Sequence, residues 1–455
     1  MKRIFVILAV IASLVSCTRD DNFSFSKSSN TGITDSWSVN TPSAPDNTSR
    51  YAQRRRNVML LYSAGFNTLC QSLDEDIKEL SDQGYVPQKE SIAEHILLVY
   101  SRLTSRNPQN GICIKFSTEP TESALFRIYK ESGQVIRDTL KVWGTDVDSC
   151  SPETMHEVLQ LVHDLYPAKG YGMVFSSHAS GWLPSGYYND PSKYDSGYSG
   201  GTPIWSSSLR RRSPQKSYPE IAPFPEVKSI GQDNKEADPV EMEFDAFANA
   251  IPFRLDYLLI DACLSGCVEV AYQLRGKADI VGFSQTEVLA DGFDYKTIGS
   301  RLLQNVPDPM AVCQDYFNFY DAQQGQYRSA TISLVDTRRM DALAGVCKSL
   351  FEKYRDKIYN LNGYNVQGYF RYSRHFFYDL EDILIKAGIT AQEQADLRAA
   401  LNQCVLYKAA TDSFLGVTIN TACGFSMYLP SMGSAYLDNY YKSRLAWNGA
   451  TELVK

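Results

Sequence analysis

The sequence predicts an α/β fold with a mostly parallel central sheet, because short apolar runs alternate with helical patterns. Residues 57–62, 172–175 and 255–260 are short and mostly apolar, which is typical of strands buried on both faces. Strands that alternate with helices form parallel sheets covered on both sides. Ligands of such sheets bind beyond the carboxyl ends of the strands.

The elements follow one another along the chain. After the first run, apolar side chains recur at helical spacing up to Leu80, and Gly84 stands just past the last turn. Ser151 precedes Pro152 as an N-cap precedes the first residue of a helix. Residues 96–100 fit a strand or a helix. Further strands are predicted at 124–129, 135–140, 279–283, 331–335 and 425–429, and further helices at 265–274, 308–322, 337–360 and 391–409.

Composition excludes several classes of protein. The chain has 455 residues, of which 44% are apolar and 21% charged, so it can bury a sizeable core and is neither disordered nor fibrous. Lysine and arginine total 45 against 52 acidic residues, a net charge of −7. Nucleic-acid-binding proteins carry a basic surplus, so we expect no nucleic-acid partner.

Residues 1–17 have the order of a lipoprotein signal peptide. Lys2 and Arg3 precede an apolar run at 4–15, which is shorter than the roughly 20 residues that span a bilayer. The run ends in LVSC, which resembles a bacterial lipobox, where the cysteine is acylated and becomes the mature N-terminus. The sequence therefore predicts a lipid anchor at Cys17 and a place in the bacterial cell envelope. The alternative is an ordinary signal peptide with an incidental cysteine.

Three further regions are predicted. Residues 18–50 are rich in Ser, Thr, Asn, Asp and Pro and read as a flexible tether. Asp20 and Asp21 within it resemble the acidic tract that sends some bacterial lipoproteins to the outer face of the outer membrane. Residues 51–305 form the α/β core, with an aperiodic insertion loop at 184–240. Residues 306–455 form a largely helical C-terminal region packed on the core.

Cysteine and histidine spacing indicates neither a disulfide framework nor a metal site. Besides Cys17 there are nine cysteines, an odd number, so at least one thiol should be free. Cys263 and Cys267 lie four residues apart, which is poor disulfide geometry. His156 and His163 share an amphipathic helix without a third ligand at useful spacing, so we expect no metal there.

Two of the buried strands lead to a candidate catalytic pair. The strand at 172–175 leads to His178 and the strand at 255–260 leads to Cys263. Adjacent parallel strands would make the imidazole and the thiol neighbours, as a base and its nucleophile must be. A helix start after Cys263 would stabilise its thiolate, and the backbone N–H groups of Ala179 and Cys263 could hold an oxyanion. The alternative is structural, because most such cysteines are inert small hydrophobes.

Two motifs resemble those of the clostripain family of cysteine peptidases, relatives of caspases, gingipains and legumains. LIDACL at 259–264 with VEVAYQL at 268–274 resembles the family's nucleophile motif, and His178 with GW at 181–182 resembles its histidine motif. The resemblance covers roughly residues 55–300 and implies a caspase-like α/β/α sandwich with Cys263 as nucleophile and His178 as its partner.

The chain departs from the family pattern at two places. Ala179 and Ser180 stand where the family has a glycine run, and Ser265 stands where it has methionine. A backbone N–H at Ala179 can still donate to an oxyanion, so an oxyanion hole is still expected. Its detailed shape is what the departure puts in question.

The resemblance further implies cleavage after Arg or Lys, through carboxylates in the specificity pocket. Asp261 matches the family's acid two residues before the nucleophile, and Asp291, 28 residues past Cys263, is the candidate for the second acid. Two carboxylates facing one guanidinium would give charge-assisted, bidentate recognition. The plain alternatives are that Asp261 bonds backbone at the strand end and that Asp291 caps the turn before Gly292.

Some family members cut themselves between the histidine and cysteine strands. This segment contains basic residues that would suit the same pocket, and the alternative is an ordinary solvated loop. The candidates for self-processing are Arg210, Arg211, Arg212 and Lys216.

The functional hypothesis is a surface or periplasm-facing lipoprotein that hydrolyses peptide bonds after basic residues through a thioester. Its partners would be protein or peptide substrates and, through the anchor, the membrane. No cofactor is expected, and calcium is implied for some relatives by the resemblance only. The rival hypothesis is a catalytically inactive peptidase-fold lipoprotein that binds peptides or glycans.

Overall fold

The computed structural model describes residues 33–34, 57–89, 95–187, 191–195, 230–234, 240–372 and 375–455. Several predictions therefore concern residues outside the described part. They are the signal peptide with Cys17, most of the tether, and the self-processing candidates Arg210, Arg211, Arg212 and Lys216.

The strands build one large sheet and three small ones. In chain order they are β1 (Ile33–Thr34), β2 (Asn57–Gly65), β3 (Ile96–Leu103), β4 (Ser123–Glu131), β5 (Gln134–Gly144), β6 (Gly170–Ser176), β7 (Ile230–Asp233), β8 (Val240–Met242), β9 (Leu255–Asp261), β10 (Ala278–Phe283), β11 (Thr331–Asp336), β12 (Tyr378–Asp379), β13 (Val405–Ala410), β14 (Ser413–Phe414), β15 (Val417–Thr418) and β16 (Ser426–Met427).

The large sheet has the order β1-β13-β11-β10-β9-β6-β2-β3-β4-β5. Its five central strands, β10, β9, β6, β2 and β3, pair in parallel, and the strands on either side pair antiparallel. The strands predicted from short apolar runs occupy this centre. Residues 96–100, which fitted a strand or a helix, belong to β3.

Both faces of the sheet are covered. Val58, Leu60 and Tyr62 of β2 pack in one hydrophobic core, whereas the alternate residues Met59 and Leu61 pack in a second. Every residue of β2 is buried, as expected for a central parallel strand. The structure thus confirms an α/β/α sandwich with a parallel centre.

The helices of the described residues lie on these two faces. They are α1 (Cys70–Lys78), which continues as a π-helix (Glu79–Gln83), α2 (Pro152–Leu165), α3 (Phe244–Ala250), α4 (Val268–Gln273), α5 (Tyr295–Leu302), α6 (Pro309–Asp321), α7 (Met340–Tyr359), α8 (Leu380–Ala387), α9 (Ala391–Cys404), α10 (Ala435–Arg444) and α11 (Ala446–Thr451). In the described part of the chain, no helix has the length and apolar character needed to cross a membrane.

Some helix ends follow from the local sequence and others do not. The Ser151 side chain accepts a hydrogen bond from the Thr154 N–H, as the predicted N-cap of α2 should. The predicted helix 391–409 ends early, because residues 405–410 leave α9 to pair with β11 in the sheet. The C-terminal region is therefore not only a helical layer, since it adds β11 and β13 to the central sheet.

Candidate active site

The carboxyl ends of β6 and β9 bring the two predicted catalytic residues to one edge of the sheet. The strands are adjacent and parallel, with Ser176 opposite Asp261. His178 and Cys263 each follow two residues beyond this pair. The topology thus supplies the adjacency on which the predicted pair depends.

His178 is held by contacts on both its ring and its backbone. It is buried, and its Nε2 lies 3.0 Å from the Thr68 hydroxyl. The Gly231 N–H of β7 donates to its carbonyl at 2.9 Å. The end of the insertion loop at 184–240 therefore returns to the protein directly on the histidine segment.

Asn67 connects the turn after β2 to β7 and, through a hydrogen bond to the Ser177 hydroxyl at 3.4 Å, to the histidine segment. Its Nδ2 donates to the Ala64 carbonyl at 2.8 Å and to the Gln232 carbonyl at 3.0 Å, while its Oδ1 accepts from the Leu69 N–H at 2.9 Å. This fully buried amide fixes the turn after β2, and hence Thr68, against β7.

Cys263 is partly exposed, and its thiol accepts a hydrogen bond from the Val288 N–H at 3.3 Å. Burial of the sulfur, reinforced by the charge of Glu287, raises the pKa of the thiol to about 12. The N–H of Val288 and the charge of Arg371 oppose this increase. In this state the thiol is neutral at physiological pH.

The expected stabilisation of the thiolate by a helix start is wrong. Helix α4 begins at Val268, with Cys267 at its N-cap, so the thiol of Cys263 lies a full turn of chain before it. The intervening residues form a tight turn in which Leu264 adopts a left-handed backbone with φ +57°. This conformation is costly for leucine and recurs at functional sites.

The two catalytic segments approach closely at Gly181. Its φ is +62°, and a Cβ there would overlap the Leu264 carbonyl. Glycine is thus required where the histidine loop passes over the cysteine turn, which explains the glycine of the predicted histidine motif.

The two predicted oxyanion donors have no competing acceptor. Ala179 faces Ile230 in a bridge, and it is the Gly231 N–H that bonds to the His178 carbonyl. Among the described residues, neither the Ala179 nor the Cys263 backbone N–H has a hydrogen-bond partner. Both groups can therefore donate to a substrate oxygen.

A buried ion pair lies beside the thiol. Arg371 Nε and Nη2 donate to the two carboxylate oxygens of Glu287 at 2.9 and 3.1 Å. Glu287 directly precedes Val288, the residue that bonds the thiol, so the pair fixes this part of the loop after β10. Arg371 comes 108 residues after Cys263, and its sequence context gives no signal of this role.

The two candidate pocket acids differ in burial. Asp261 is 5% exposed and accepts hydrogen bonds from the Tyr295 hydroxyl at 2.8 Å and the Phe293 N–H at 3.3 Å. Burial raises its pKa to about 6 despite these bonds. Asp291 is exposed, and among the described residues its carboxylate has no hydrogen-bond partner, so the predicted alternative of a turn cap is not observed.

Sequence reasoning missed Thr68, Val288, Glu287 and Arg371. Thr68 could have been found, because it follows the carboxyl end of β2, the neighbour of β6. The other three depend on packing between distant segments. The structure leaves the roles of His178, Cys263, Asp261 and Asp291 as predictions and supplies the geometry in which they would act.

A family model described as the clostripain family matches residues 217–452, about half of the chain. This range includes Asp261, Cys263 and Asp291 and begins beyond His178. No match was found among proteins with curated functions.

Two solved structures are similar to this chain over most of its length. An inactive zymogen C11 protease from Parabacteroides distasonis has a TM-score of 0.66 and 23% identity, covering 88% of this chain and 98% of that one. A secreted C11 cysteine protease from Bacteroides thetaiotaomicron, in complex with an irreversible peptide inhibitor, has a TM-score of 0.66 and 21% identity, covering 88% and 99%. At these identities the likeness concerns the fold, and it confirms the predicted caspase-like sandwich.

Proposed function

The chain belongs to the clostripain family of cysteine peptidases, and we propose that it is an endopeptidase that cleaves after Arg or Lys, with Cys263 as nucleophile and His178 as base. The observation that carries this proposal is the parallel pairing of β6 with β9, which brings both residues to the sheet edge where Asp261 and Asp291 also lie.

The chemistry follows from the groups at this edge. The Cys263 sulfur attacks the scissile carbonyl while its proton passes to the His178 imidazole. The N–H groups of Ala179 and Cys263 bind the oxyanion. His178 then gives the proton to the leaving amine, which leaves a thioester that water hydrolyses with the imidazole as base. Thr68 orients the ring throughout.

The specificity rests on carboxylates at the P1 position. Asp261 is buried and Asp291 is exposed, so the first would form the base of the pocket and the second its mouth. A guanidinium or ammonium between them would gain charge-assisted hydrogen bonds, each worth about 1.5–3 kcal/mol. A neutral side chain would leave these carboxylates without a counter-charge.

A peptide assay tests the proposal. Fluorogenic peptides with Arg, Lys or Gln at P1 are compared on wild type, Cys263→Ala and Asp261→Asn. We expect no turnover by Cys263→Ala, and a 10- to 100-fold loss on basic P1 peptides by Asp261→Asn, about what one charge-assisted bond contributes. Turnover by Cys263→Ala would refute the nucleophile, and equal rates on Gln and Arg would refute the specificity. A protein that neither turns over nor is alkylated at Cys263 would be the inactive binder.

Self-processing within 184–240 is part of the proposal. The segments that flank this region are fixed on the core, through the bridge of Ala179 with Ile230 and the pairing of β7 with β8. A cut between them would therefore leave both chains attached.

Incubation of wild type beside Cys263→Ala tests this step. Fragments are sized by intact mass and their new N-termini sequenced. We expect cuts after one or more of Arg210, Arg211, Arg212 and Lys216 in wild type only, lost when all four are replaced by Gln. Equal fragmentation of both proteins, or of neither, would contradict self-processing.

We propose further that acylation of Cys17 holds the protein in the outer membrane of a bacterial envelope. The support is the lipobox-like LVSC at 14–17. Metabolic labelling with a fatty acid should mark wild type and not Cys17→Ala, and fractionation should move the variant from the membrane to the soluble fraction. Equal labelling or equal sedimentation would refute the anchor.

A further inference from the structure

A third carboxylate lies beside the two pocket acids, on an element that the proposed function has not used. Asp76 belongs to α1, the helix that starts just after Thr68. It is only 6% exposed. Among the described residues no hydrogen bond or ion pair reaches its side chain, whereas Asp74 on the same helix is bonded to Arg106 at 2.6 and 2.8 Å.

The helix of Asp76 lies against the segment that follows the pocket acids, because the π-helix that continues α1 contacts α5, and Ile77 packs in the same hydrophobic core as Phe293 and Tyr295. Burial and then the charges of Asp261, Glu79 and Asp291 raise its pKa well above the ordinary value. Burial, followed by the charges of Tyr316, Asp291, Asp261 and Asp76, likewise raises the pKa of the Tyr320 phenol.

Direct contacts join Asp261 to the loop that carries Asp291. The Tyr295 hydroxyl bonds to Asp261 at 2.8 Å, and the Tyr320 hydroxyl donates to the Gly292 carbonyl at 3.0 Å. A Cβ at Gly292 would overlap the Asp261 carboxylate, so this loop lies directly against that acid.

An independent observation indicates that a ligand group belongs near Asp261. The Tyr316 hydroxyl is buried without a hydrogen-bond partner among the described residues, and its pKa is raised by burial and by the charges of Asp261 and Cys263. A buried hydroxyl and a buried carboxylate without partners are both costly unless a ligand completes them.

We propose that Asp76 is a specificity-determining residue of the P1 pocket, which binds the cationic end of a substrate Arg or Lys together with Asp261 and Asp291. This inference rests on the proposed function and assigns the pocket a third acid. Three acids from α1, the end of β9 and the loop before α5 then surround one cation, and the substrate supplies the counter-charge that the protein lacks.

The other charged groups around Asp76 do not supply that counter-charge. Glu79 is paired with Lys296 at 2.8 Å, and Lys78 lies 3.0 Å from Asp74 and 3.7 Å from Glu75. The groups around Asp76, apart from Glu75 with its exposed side chain, are thus acids and phenols, namely Asp261, Asp291, Glu79, Tyr295 and Tyr320.

The experiment uses a substrate pair that differs in charge alone. Peptides with Arg or with the isosteric, neutral citrulline at P1 are compared on wild type, Asp76→Asn and Glu75→Gln. Glu75 is the matched control, since it lies on the same helix with a side chain 59% exposed. Asp76→Ala is the second variant, and melting temperatures of all four proteins are recorded.

We expect Asp76→Asn to lower the Arg-to-citrulline ratio of kcat/KM by about 10-fold or more, with the citrulline rate unchanged. Its melting temperature at pH 8 should equal or exceed that of wild type, because an unpaired buried charge is removed, and Glu75→Gln should retain the wild-type ratio. An unchanged ratio in both Asp76 variants, or parallel losses on both peptides, would overturn the role of Asp76. A wild type without preference for Arg over citrulline would overturn the P1 assignment itself, and the inference with it.

Discussion

The buried acids of this molecule fall into two groups, which differ in whether a cationic side chain lies beside them. Asp233, at the end of β7, is fully buried and accepts hydrogen bonds from Arg102 Nη1 at 2.5 Å and from the Ser149 backbone N–H at 2.6 Å. Asp76 and Asp261 are nearly as buried, but their charged neighbours are other acids. One group contains its own cation, and the other does not.

The difference separates structure from recognition. A buried charge is tolerated when an opposite charge lies beside it, so the Arg102–Asp233 pair needs no ligand as a counter-charge. Like charges buried together raise one another's pKa and store unfavourable energy until a cation arrives. The first group should therefore govern the stability of the fold, and the second the choice of substrate.

The largest effect on stability is expected at the Arg102–Asp233 pair. Asp233→Asn leaves the buried Arg102 guanidinium with only the more distant Asp148, at 3.6 Å, as a counter-charge, which should lower the free energy of unfolding by up to about 3–5 kcal/mol. Urea titration measures this. Because β7 carries the backbone bond to His178, activity should fall on Arg and citrulline peptides alike.

The control for this prediction is an exposed ion pair. Lys89 and Glu131 lie 2.7 Å apart with side chains 42% and 48% exposed, so Glu131→Gln should leave the free energy of unfolding nearly unchanged. A comparable loss in the two variants would show that burial of the Asp233 pair does not govern its contribution.

The next largest effect is a dependence of stability on pH, caused by Asp261. Burial raises the pKa of Asp261 from 3.8 to about 6, so between these values the folded protein holds a proton that the unfolded chain has lost. The free energy of unfolding should therefore fall as the pH rises through this window, by up to ~3 kcal/mol. In Asp261→Asn this part of the pH dependence should disappear, and an identical urea-derived profile in both proteins would contradict the assignment.

The sequence predicted the part of the site that follows from strand ends. His178, Cys263 and Asp261 all stand at or just beyond a buried strand, where the topology of a parallel sheet brings residues together. Asp76 is one of four acidic residues at 74–79 of an amphipathic helix. Asp74 is buried to a similar degree, and only the pairing of Asp74 with Arg106, a contact between distant segments, distinguishes the two. The prediction of a helix start beside Cys263 was wrong. Tertiary contacts hold Leu264 in a left-handed turn, and α4 begins only at Val268.

The smallest effect is expected from a substitution at Gly292, in the loop that lies against Asp261. Gly292 has φ +56°, and a side chain there would also overlap Asp261, whereas Gly133 has φ +83° and open space. Alanine at either position carries a backbone cost of about 1 kcal/mol or more. Only Gly292→Ala should in addition displace the Asp261 carboxylate, lowering kcat/KM on Arg peptides several-fold more than on citrulline peptides. If Gly133→Ala and Gly292→Ala matched in both stability and selectivity, the loop against Asp261 would have no part in recognition, and the contrast between the two acid groups would rest on charge alone.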